Sequence, residues 1–414
     1  MVLAPFAARS AMRKLLVQGV TAERSREKLG HATQPRPSSG PLVWLHAASV
    51  GESLSVLALI TRMGQILPTA HFLITSGTAT SAKLVAQRLP PRTVHQFAPL
   101  DAPRPVKRFL NHWQPDAAIF VESELWPQML RRTHATGARM ALVNARMSEK
   151  TVAFWAEWPQ AARYIFDVFA LILTQNDAMA QNMIRMNAPA ERVARGVNLK
   201  SMSGPLPVDA SALQEVRTTL ADRPIWVASS THEGEESAVL SAHRQLLKRF
   251  PGLCLILAPR HPERGDIVEQ LIASDGLSYR RRSRGEAPGG QVYLADTMGE
   301  LGLWYEMAEI VFLGGSLLPI GGHNPFEVAQ AGAAVLTGNH VAAFAETYAL
   351  LETEGAARII ADGDDLAARV AVLLTDPDEL AAMTSAAQRF TATQDDQLDA
   401  IATRLITALE LDRA

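Results

Sequence analysis

The chain has 414 residues, a net charge of -2 with neutral histidines, and 48% hydrophobic residues. This length exceeds the size at which single hydrophobic cores stop growing, so two domains of roughly 200 residues each are expected. The nearly neutral charge argues against a nucleic-acid-binding protein, and no nucleic-acid partner is expected. The single cysteine, Cys254, excludes an intramolecular disulfide and fits a reducing compartment.

Residues 1–40 form a basic N-terminal segment with seven Lys or Arg residues against two acidic ones. Apolar residues such as Phe6, Leu15 and Leu16 accompany these charges, so the segment is predicted to lie on an anionic membrane surface. A solvated and frayed terminus is the alternative. The segment lacks the long apolar core and the cleavage site of a signal peptide.

From residue 41 onward, short apolar runs alternate with helical patterns, which is typical of parallel βαβ units in a doubly wound sheet. The predicted strands are LVWLHA, HFLIT, AAIFVES, MALVN and LILTQ in the first half, and IWVASS, LCLILAP, VYLAD, EIVFLGG and AAVLTG in the second. The fold class is therefore predicted to be α/β, with two Rossmann-like domains at 41–205 and 206–390 whose parallel sheets face a central cleft. Residues 391–414 are predicted to form a helix that packs back on the first domain.

Polar residues of the first half follow the predicted strands, where ligands bind in open α/β sheets. Glu52 follows LVWLHA at the start of a helix, where it is either a general base or a first-turn glutamate stabilised by the helix dipole. Glu122 and Asn144 follow the next two central strands. Lys200 precedes the domain boundary and either neutralises a bound anion or is simply solvated.

The turn and helix start GGHNPFE in the second half are predicted to hold a phosphorylated ligand. Asn324 is expected to cap the helix, Pro325 to occupy its first turn, and Gly321 and Gly322 to let the backbone approach a phosphate. Free N–H groups and the helix dipole then favour an anion. Glu327 is placed to accept hydrogen bonds from sugar hydroxyls. The alternative is a tight loop with an ordinary helix cap.

Two arginine-bearing segments of the second half are candidates for anion binding. Arg260 and His261 follow a predicted strand and form a natural clamp for phosphate or carboxylate, because the guanidinium offers planar paired donors. The cluster at 280–284, with four arginines, is predicted to be a solvated loop, with an anionic partner as the alternative.

Missing motifs narrow the function further. His232, His261 and His323 raise the question of a metal, but the sequence has no HExxH or dense ligand cluster, so no metal site is expected. The sequence also lacks the P-loop, the dinucleotide-binding glycine motif and the G-x-S-x-G elbow. ATPase, dehydrogenase and hydrolase activities are therefore disfavoured.

Eight motifs occur in the order found in the Kdo transferases of lipopolysaccharide assembly: WLHAASVGE, VESELWP, NARMS, GVNLK, ASSTHEGEE, LAPRHPER, DTMGELGLWY and GGSLLPIGGHNPFE. The chain resembles this family from about Thr21 to about Glu346. The resemblance implies a GT-B fold and an inverting transfer of 3-deoxy-D-manno-octulosonic acid (Kdo) from CMP-Kdo to a lipid A precursor, lipid IVA. It also implies that no metal or other cofactor is needed, and a place at the cytoplasmic face of the bacterial inner membrane, peripheral or weakly anchored.

The resemblance also assigns roles to residues. Glu52 is similar to the family's proton acceptor, and Glu122 and Lys200 are similar to its transition-state stabilisers. The residues that resemble the family's CMP contacts are Arg260, His261, Met298, Gly299, Glu300, Asn324, Pro325, Phe326 and Glu327.

Two features depart from the family pattern. The family usually has GNLK where this chain has GVNLK, which affects how Lys200 approaches the ligand. Many members begin with an apolar membrane anchor, whereas this chain begins with a short basic segment. Either this segment binds an anionic membrane surface peripherally, or the native start lies upstream.

Two other functions are open at this point. One is a different GT-B nucleotide-sugar enzyme, such as a UDP-sugar transferase or an epimerase, which would prefer UDP to CMP. The other is a non-catalytic sugar-phosphate binding protein, which would bind its ligand without turnover and would tolerate replacement of Glu52.

Overall fold

The computed structural model describes residues 4–199, 206–221 and 223–413. The chain divides into two compact units. The first comprises Met1–Ser203 and Asp395–Ala414, and the second comprises Gly204–Gln394. Each unit contains one parallel β-sheet flanked by helices.

Within the described residues, the sheet of the first unit has seven strands in the order β3-β2-β1-β4-β5-β6-β7, and the strand pairs are parallel. The strands are β1 Leu42–His46, β2 His71–Ser76, β3 Thr93–Phe97, β4 Ala117–Val121, β5 Arg139–Ala145, β6 Leu171–Thr174 and β7 Val193–Arg195. The central strands β1 and β4 are buried along their whole length. This is why they appear in the sequence as continuous apolar runs rather than alternating ones.

Two helices precede β1, and the others lie between the strands. They are α1 Ala4–Val17, α2 Ala22–Ser25, α3 Val50–Ser55, α4 Leu57–Ile66, α5 Ala79–Ala86, α6 Pro103–Trp113, α7 Pro127–His134, α8 Glu149–Glu157, α9 Pro159–Phe166 and α10 Asp177–Arg185. Several begin with a polar cap that the sequence displays. Ser49 caps α3, Thr78 caps α5 and Asn176 caps α10, each accepting a hydrogen bond from a backbone N–H of the first turn.

The sheet of the second unit also has seven strands among the described residues, in the order β10-β11-β9-β8-β12-β13-β14, with parallel pairing. The strands are β8 Ile225–Thr231, β9 Cys254–Pro259, β10 Tyr279–Arg281, β11 Val292–Leu294, β12 Ile310–Leu313, β13 Ala334–Thr337 and β14 Ala357–Ile359. The helices are α11 Ala210–Leu220, α12 Glu235–Leu247, α13 Gly265–Ser274, α14 Leu301–Tyr305, α15 Phe326–Gln330, α16 Ala345–Thr353, α17 Gly363–Thr375 and α18 Pro377–Ala408.

The last part of α18 belongs to the core of the first unit. Leu398, Ile401 and Leu405 are buried in the same apolar cluster as Val43 and Leu45 of β1. Burying a leucine or isoleucine side chain contributes about 1.5–3 kcal/mol, so this segment is an integral part of the first unit.

Four strands escape the sequence-based prediction, and all four lie at sheet edges. β3 and β7 border the first sheet, and β10 and β14 border the second. Their sequences TVHQF, VAR, YRR and ARI are short or half polar. An edge strand pairs on one side only and faces solvent, so it does not need the apolar run that marks a central strand.

The described part of the basic N-terminal segment includes α1, which is packed on the first unit. Leu15 is buried in a small cluster with Ala82 and Phe97. Across residues 4–199, 206–221 and 223–413, no helix combines the length and the apolar character that crossing a bilayer requires. Binding of this segment to an anionic membrane surface stays a prediction.

Candidate active site

Glu52 lies at the edge of the first sheet where the strands end, in the first turn of α3. The backbone N–H of Ala48 donates to Glu52 Oε2 at 2.9 Å, and the Ser49 hydroxyl donates to Oε1 at 2.6 Å. The N–H of Glu52 in turn donates to Ser49 Oγ at 3.3 Å. These contacts form a helix cap and fix the orientation of the half-exposed Glu52 carboxylate. Its two oxygens still have lone pairs that can accept a proton.

Glu122 follows β4, the strand that pairs directly with β1. Its φ of 55° is left-handed, as is the φ of 54° at Asn144, the penultimate residue of β5. Such a conformation costs of order 1–3 kcal/mol for a residue other than glycine and is concentrated at functional sites. Asn144 Nδ2 donates to Glu122 Oε1 at 3.3 Å. The structure therefore places the acidic strand ends of β1 and β4 beside each other.

Asn144 also connects this edge to the segment that leads to Lys200. Its side chain is buried, and its Oδ1 accepts a hydrogen bond from the backbone N–H of Leu199 at 3.2 Å. Lys200 itself lies outside the described residues, so its predicted role is carried forward as a proposal. Asn144 was recognised in the sequence only as a polar residue at a strand end, and its part in joining three chain segments follows from the structure.

A buried histidine–glutamate pair lies at the same edge and was missed by the sequence analysis. His46, the last residue of β1, has its Nε2 3.2 Å from Glu124 Oε2. Its Nδ1 lies 3.0 Å from the hydroxyl of Thr75. Burial alone would raise the pKa of Glu124, but the contacts with His46 and Trp126 outweigh it and lower the pKa. Glu124 is thus a carboxylate held in place at this edge.

In the second unit, the loop after β12 is held by an internal carboxylate. Glu235, in the first turn of α12, is 1% exposed. It accepts backbone N–H bonds from His232 at 2.9 Å, Gly315 at 2.7 Å, Ser316 at 2.9 Å and Leu317 at 2.9 Å. These four amides are bound by Glu235, whereas the phosphate site predicted at Gly321, Gly322 and the helix start stays a prediction. The sequence shows Glu235 in a helix start but does not show which loop it holds.

The glycines of the predicted cradle are explained by chain packing. Gly321 and Gly322 have φ values of 113° and 78°. A side chain on Gly322 would place its Cβ 3.0 Å from Cα of Val341. The Gly322 N–H donates to Gly315 O at 2.7 Å, and Gly321 O accepts from Ala343 N at 2.9 Å. The turn thus needs glycine to pack against the chain after β13.

The segment from Asn324 to Glu327 forms a short cap at the start of α15. Asn324 Oδ1 accepts the Phe326 N–H at 3.2 Å, as predicted for a capping residue. The helix begins at Phe326, with Pro325 at the cap position, which is one residue later than predicted. Phe326 is 1% exposed and packs in the core. The half-exposed groups of this segment are Asn324 and Glu327.

Arg260, His232, His261 and His323 form the basic part of the second unit's strand-end edge. His232 Nε2 and His323 Nε2 are 2.9 Å apart in stacked rings, so one nitrogen donates and the other accepts. The ring of His261 packs edge-on against His232 at 5.6 Å. Burial and, to a smaller extent, the charge of Arg260 lower the pKa of His323 to about 4. Arg260 is exposed and presents the cation of this group.

No metal centre is found among the residues that the structure describes. None of their His, Cys, Asp and Glu side chains form a group of three or more that could hold an ion. His232 and His323 direct their Nε2 atoms at each other. The arrangement is suited to an anionic ligand, because Arg260 supplies a cation and the imidazoles supply neutral hydrogen-bonding groups.

The predicted contacts at 298–300 form a turn before α14. Met298 is 74% exposed and Gly299 has a φ of 87°. The carboxylate of Glu300 is bound by Arg282, with Nη2 to Oε1 at 2.7 Å, and by the hydroxyl of Thr297. The hydrogen bond from Arg282 is the main reason that the pKa of Glu300 is lowered. Glu300 therefore already has strong partners within this unit.

The arginine cluster at 280–284 is mostly paired within the unit, which corrects the predicted solvated loop. Arg281 is 8% exposed, and its Nε and Nη1 donate to Asp296 at 2.6 Å and Glu269 at 2.7 Å. Arg284 holds Glu269 through two hydrogen bonds of 2.6 Å. These ion pairs link β10 to α13, and they neutralise most of the positive charge of the arginine cluster.

Comparison with known proteins relates this geometry to a family. A family model described as 3-deoxy-D-manno-octulosonic-acid transferase (kdotransferase) matches residues 23–203. The 3-deoxy-D-manno-octulosonic acid transferase of Haemophilus influenzae is 33% identical over 366 residues, which cover 86% of this chain and 85% of that protein. The probable mitochondrial 3-deoxy-D-manno-octulosonic acid transferase of Arabidopsis thaliana is 34% identical, with coverage of 77% and 73%.

Solved structures resemble the chain in fold. A glycosyltransferase from Rickettsia africae has a TM-score of 0.56 at 12% identity, covering 90% of this chain and 99% of that one. A UDP-GlcNAc 2-epimerase from Neisseria meningitidis has a TM-score of 0.54 at 13% identity, covering 86% and 100%. At such low identity they bear on the fold alone. The predicted α/β class with the GT-B fold is confirmed.

The resemblance inferred from the eight motifs is confirmed by these relatives. Their identity of 33–34% extends over most of both chains. The activity is thus that of a glycosyltransferase. The chain belongs to the family of 3-deoxy-D-manno-octulosonic acid transferases.

Proposed function

We propose that this enzyme transfers Kdo from CMP-Kdo to a lipid A precursor, lipid IVA, with inversion at the anomeric carbon and with Glu52 as the general base. One observation carries the proposal: the half-exposed carboxylate of Glu52 is held in one direction by Ala48 and Ser49 where β1 ends. A base must lie within hydrogen-bond reach of the proton it removes, and such a fixed carboxylate meets that requirement.

In the proposed mechanism, Glu52 removes the proton from a hydroxyl of the acceptor sugar. The hydroxyl oxygen then attacks the anomeric carbon of Kdo on the face opposite CMP. The bond between that carbon and the phosphate oxygen breaks, and CMP leaves with the electron pair as a phosphate monoester. The sugar passes through an oxocarbenium-like transition state, so the configuration inverts in one displacement. Glu122 and Lys200 are proposed to stabilise this state.

The second unit is proposed to hold CMP. Arg260 and His261 are assigned to the phosphate, whose negative charge grows as the bond breaks. Asn324 and Glu327 are assigned to the nucleoside. The remaining proposed contacts are Met298, Gly299, Glu300, Pro325 and Phe326. In the proposed reaction these protein groups stabilise the negative charge of the leaving CMP, as a metal ion does in other enzymes. The proposed reaction is therefore metal-independent.

The proposed location is the cytoplasmic face of the bacterial inner membrane, with a peripheral or weak attachment. The acceptor is an acylated lipid, so the enzyme must meet a bilayer. Arg13 and Lys14 of α1 are exposed and are proposed to face its anionic surface.

The test of this function is a transfer assay with purified protein, CMP-Kdo and a tetraacylated lipid A precursor in detergent. Mass spectrometry of the lipid is expected to show a gain of one or more Kdo masses. A nucleotide panel that favours UDP over CMP would instead support another nucleotide-sugar enzyme. CMP binding without turnover on this acceptor would support a binding protein.

Replacing Arg260 by glutamine is expected to weaken CMP binding by about tenfold to a hundredfold, because a charge-assisted pair with the phosphate is lost. Isothermal titration with CMP measures this effect. Arg280→Gln is the matched control, since Arg280 is an exposed arginine on the edge strand β10. Equal affinities in the two variants would remove Arg260 from the phosphate site.

CMP binding is expected to raise the pKa of His323 from its value of about 4, because the phosphate offsets the effect of Arg260. A group whose pKa rises on binding takes up a proton, so affinity should strengthen as the pH falls from 7 towards 5. Titration of wild type and His323→Gln at both pH values measures this gain. CMP itself also takes up a proton in this pH range, but this affects both proteins equally. It therefore cancels in the difference between their pH dependences. Identical pH dependence would contradict the prediction.

A further inference from the structure

A cavity of about 570 Å³ lies in the first unit between α1 and the loop after β2. The described residues that line it include three basic side chains and no acidic one. The polar and glycine positions on its wall are Ser10, Arg13, Lys14, Gln18, Lys28, Gly77 and Thr78. None of these residues belongs to the site assigned above to the nucleotide.

Lys28 is the key residue of this cavity, because its side chain is mostly buried and Glu27 is the acidic neighbour that acts on its charge. Only 8% of its surface is exposed, and no ion pair or hydrogen bond of its ammonium group is found among the described residues. The neighbouring carboxylate of Glu27 is already used. It accepts from Arg24 Nε at 3.2 Å, from the Thr33 hydroxyl at 2.5 Å and from the Phe97 N–H at 2.7 Å.

The surroundings of Lys28 are positively charged. Burial lowers the pKa of Lys28 to about 8, and Glu27 opposes this only in part. Burial, Arg24 and Lys28 together lower the pKa of His95 to about 3, so that imidazole stays neutral. The ring of Phe97 lies 5.8 Å from the ammonium and offers a weak cation–π contact. A mostly buried ammonium is stabilised by a negative charge beside it, and the cavity lined by Lys28 offers space for an anionic group.

The cavity adjoins the loop that carries Glu52. Gly77, on its wall, donates its N–H to Ala48 O at 3.0 Å. Ala48 in turn donates its own N–H to Glu52 Oε2 at 2.9 Å. A Cβ at Gly77 would lie 2.9 Å from Ala48 O, so the two loops are packed backbone to backbone. One wall of the cavity therefore lies directly beside the loop that carries Glu52.

We propose that this cavity binds a phosphate monoester, with the ammonium of Lys28 as the central donor and Arg13 and Lys14 of α1 closing over it. A phosphate monoester carries a charge near -2 at neutral pH and three acceptor oxygens, which matches three basic side chains. The choice of ligand rests on the proposed function, because the proposed acceptor, lipid IVA, is an acylated disaccharide that carries two phosphate monoesters. A phospholipid with a monoester headgroup has the same chemistry, and the experiment separates the two sources.

The first arm tests the site itself with a soluble probe, glucose 1-phosphate, titrated with CMP present so that a nucleotide site is filled. Lys28→Met is expected to weaken binding by about tenfold, and Arg13→Gln by a smaller factor. Lys83→Met is the control, because Lys83 is an exposed lysine of α5 outside the cavity. Lys28→Met removes a mostly buried charge and keeps most of the stem, so it is expected to fold. Equal affinity in wild type and Lys28→Met would overturn the proposal.

The second arm identifies the source of the phosphate. Wild type is expected to show a lower KM for the bisphosphorylated acceptor than for the phosphatase-treated one, and Lys28→Met to lose that preference. If Lys28→Met instead loses binding to vesicles containing phosphatidic acid and keeps the acceptor preference, the monoester comes from the membrane. If no acceptor is glycosylated while Lys28→Met still loses glucose 1-phosphate binding, the proposed function fails and this site stands.

Discussion

Replacing Glu52 by glutamine is expected to lower kcat of the transfer by about 10²–10⁴-fold, because the acceptor hydroxyl then has no base to take its proton. CMP affinity should stay within about twofold, since the nucleotide is assigned to the second unit. Glutamine keeps an oxygen that accepts the Ala48 N–H, so the cap of α3 is largely retained. The readouts are turnover by mass spectrometry and CMP titration on the same preparation.

Two comparisons make this result specific to Glu52. The free energy of unfolding should fall by about 1 kcal/mol or less, which is the usual contribution of a first-turn carboxylate. Glu157→Gln changes an exposed glutamate at the end of α8 and should leave turnover unaffected. If Glu52→Gln lost stability but kept near-normal turnover, Glu52 would be a helix cap and not the base.

Replacing Glu235 by alanine is expected to lower the free energy of unfolding by about 3–5 kcal/mol. The change leaves four backbone N–H groups of the loop after β12 and of His232 without their acceptor in a buried place. Because the same loop carries the chain towards His323 and Asn324, CMP binding should weaken as well. Chemical denaturation and CMP titration measure the two effects.

Glu215→Ala provides the control, since Glu215 is an exposed glutamate of α11 in the same unit and its loss should change the stability by less than about 0.5 kcal/mol. The stability of Glu235→Gln should lie between those of the two alanine variants. Its carboxamide oxygen can still accept backbone N–H groups, but its NH₂ group, which replaces the second oxygen, cannot. Equal stability of Glu235→Ala and Glu215→Ala would show that the loop finds other acceptors.

The central strands of both sheets were predictable from the sequence, and the edge strands were not. Buried parallel strands such as LVWLH and AAIFV need apolar side chains on both faces, so their sequences are unmistakable. Edge strands such as YRR and ARI are specified by pairing with a neighbour that lies far along the chain. That information is tertiary and does not appear as a local pattern.

In the candidate site, too, some residues could be predicted from the local sequence and others could not. Glu52 and Asn324 form local caps within four residues, so their places could be predicted from capping patterns. Glu235 accepts hydrogen bonds from residues some eighty positions away, and Lys28 faces a loop that begins at Gly77. No local pattern distinguishes such residues from ordinary surface charges, because the contact depends on the completed fold.

The position of the last helix has a consequence for the order of folding during synthesis. The core of the first unit includes Leu398, Ile401 and Leu405, which are made after the whole of Gly204–Gln394 has been translated. Domains usually fold as units from the N-terminal end as the chain emerges. Here the sheet of the first unit cannot complete its core until the end of α18 has been made. Part of its apolar surface therefore stays uncovered while the second unit is synthesised, and the second unit can fold first. A ribosome-bound chain that stops before 395 should therefore engage chaperones through its N-terminal half.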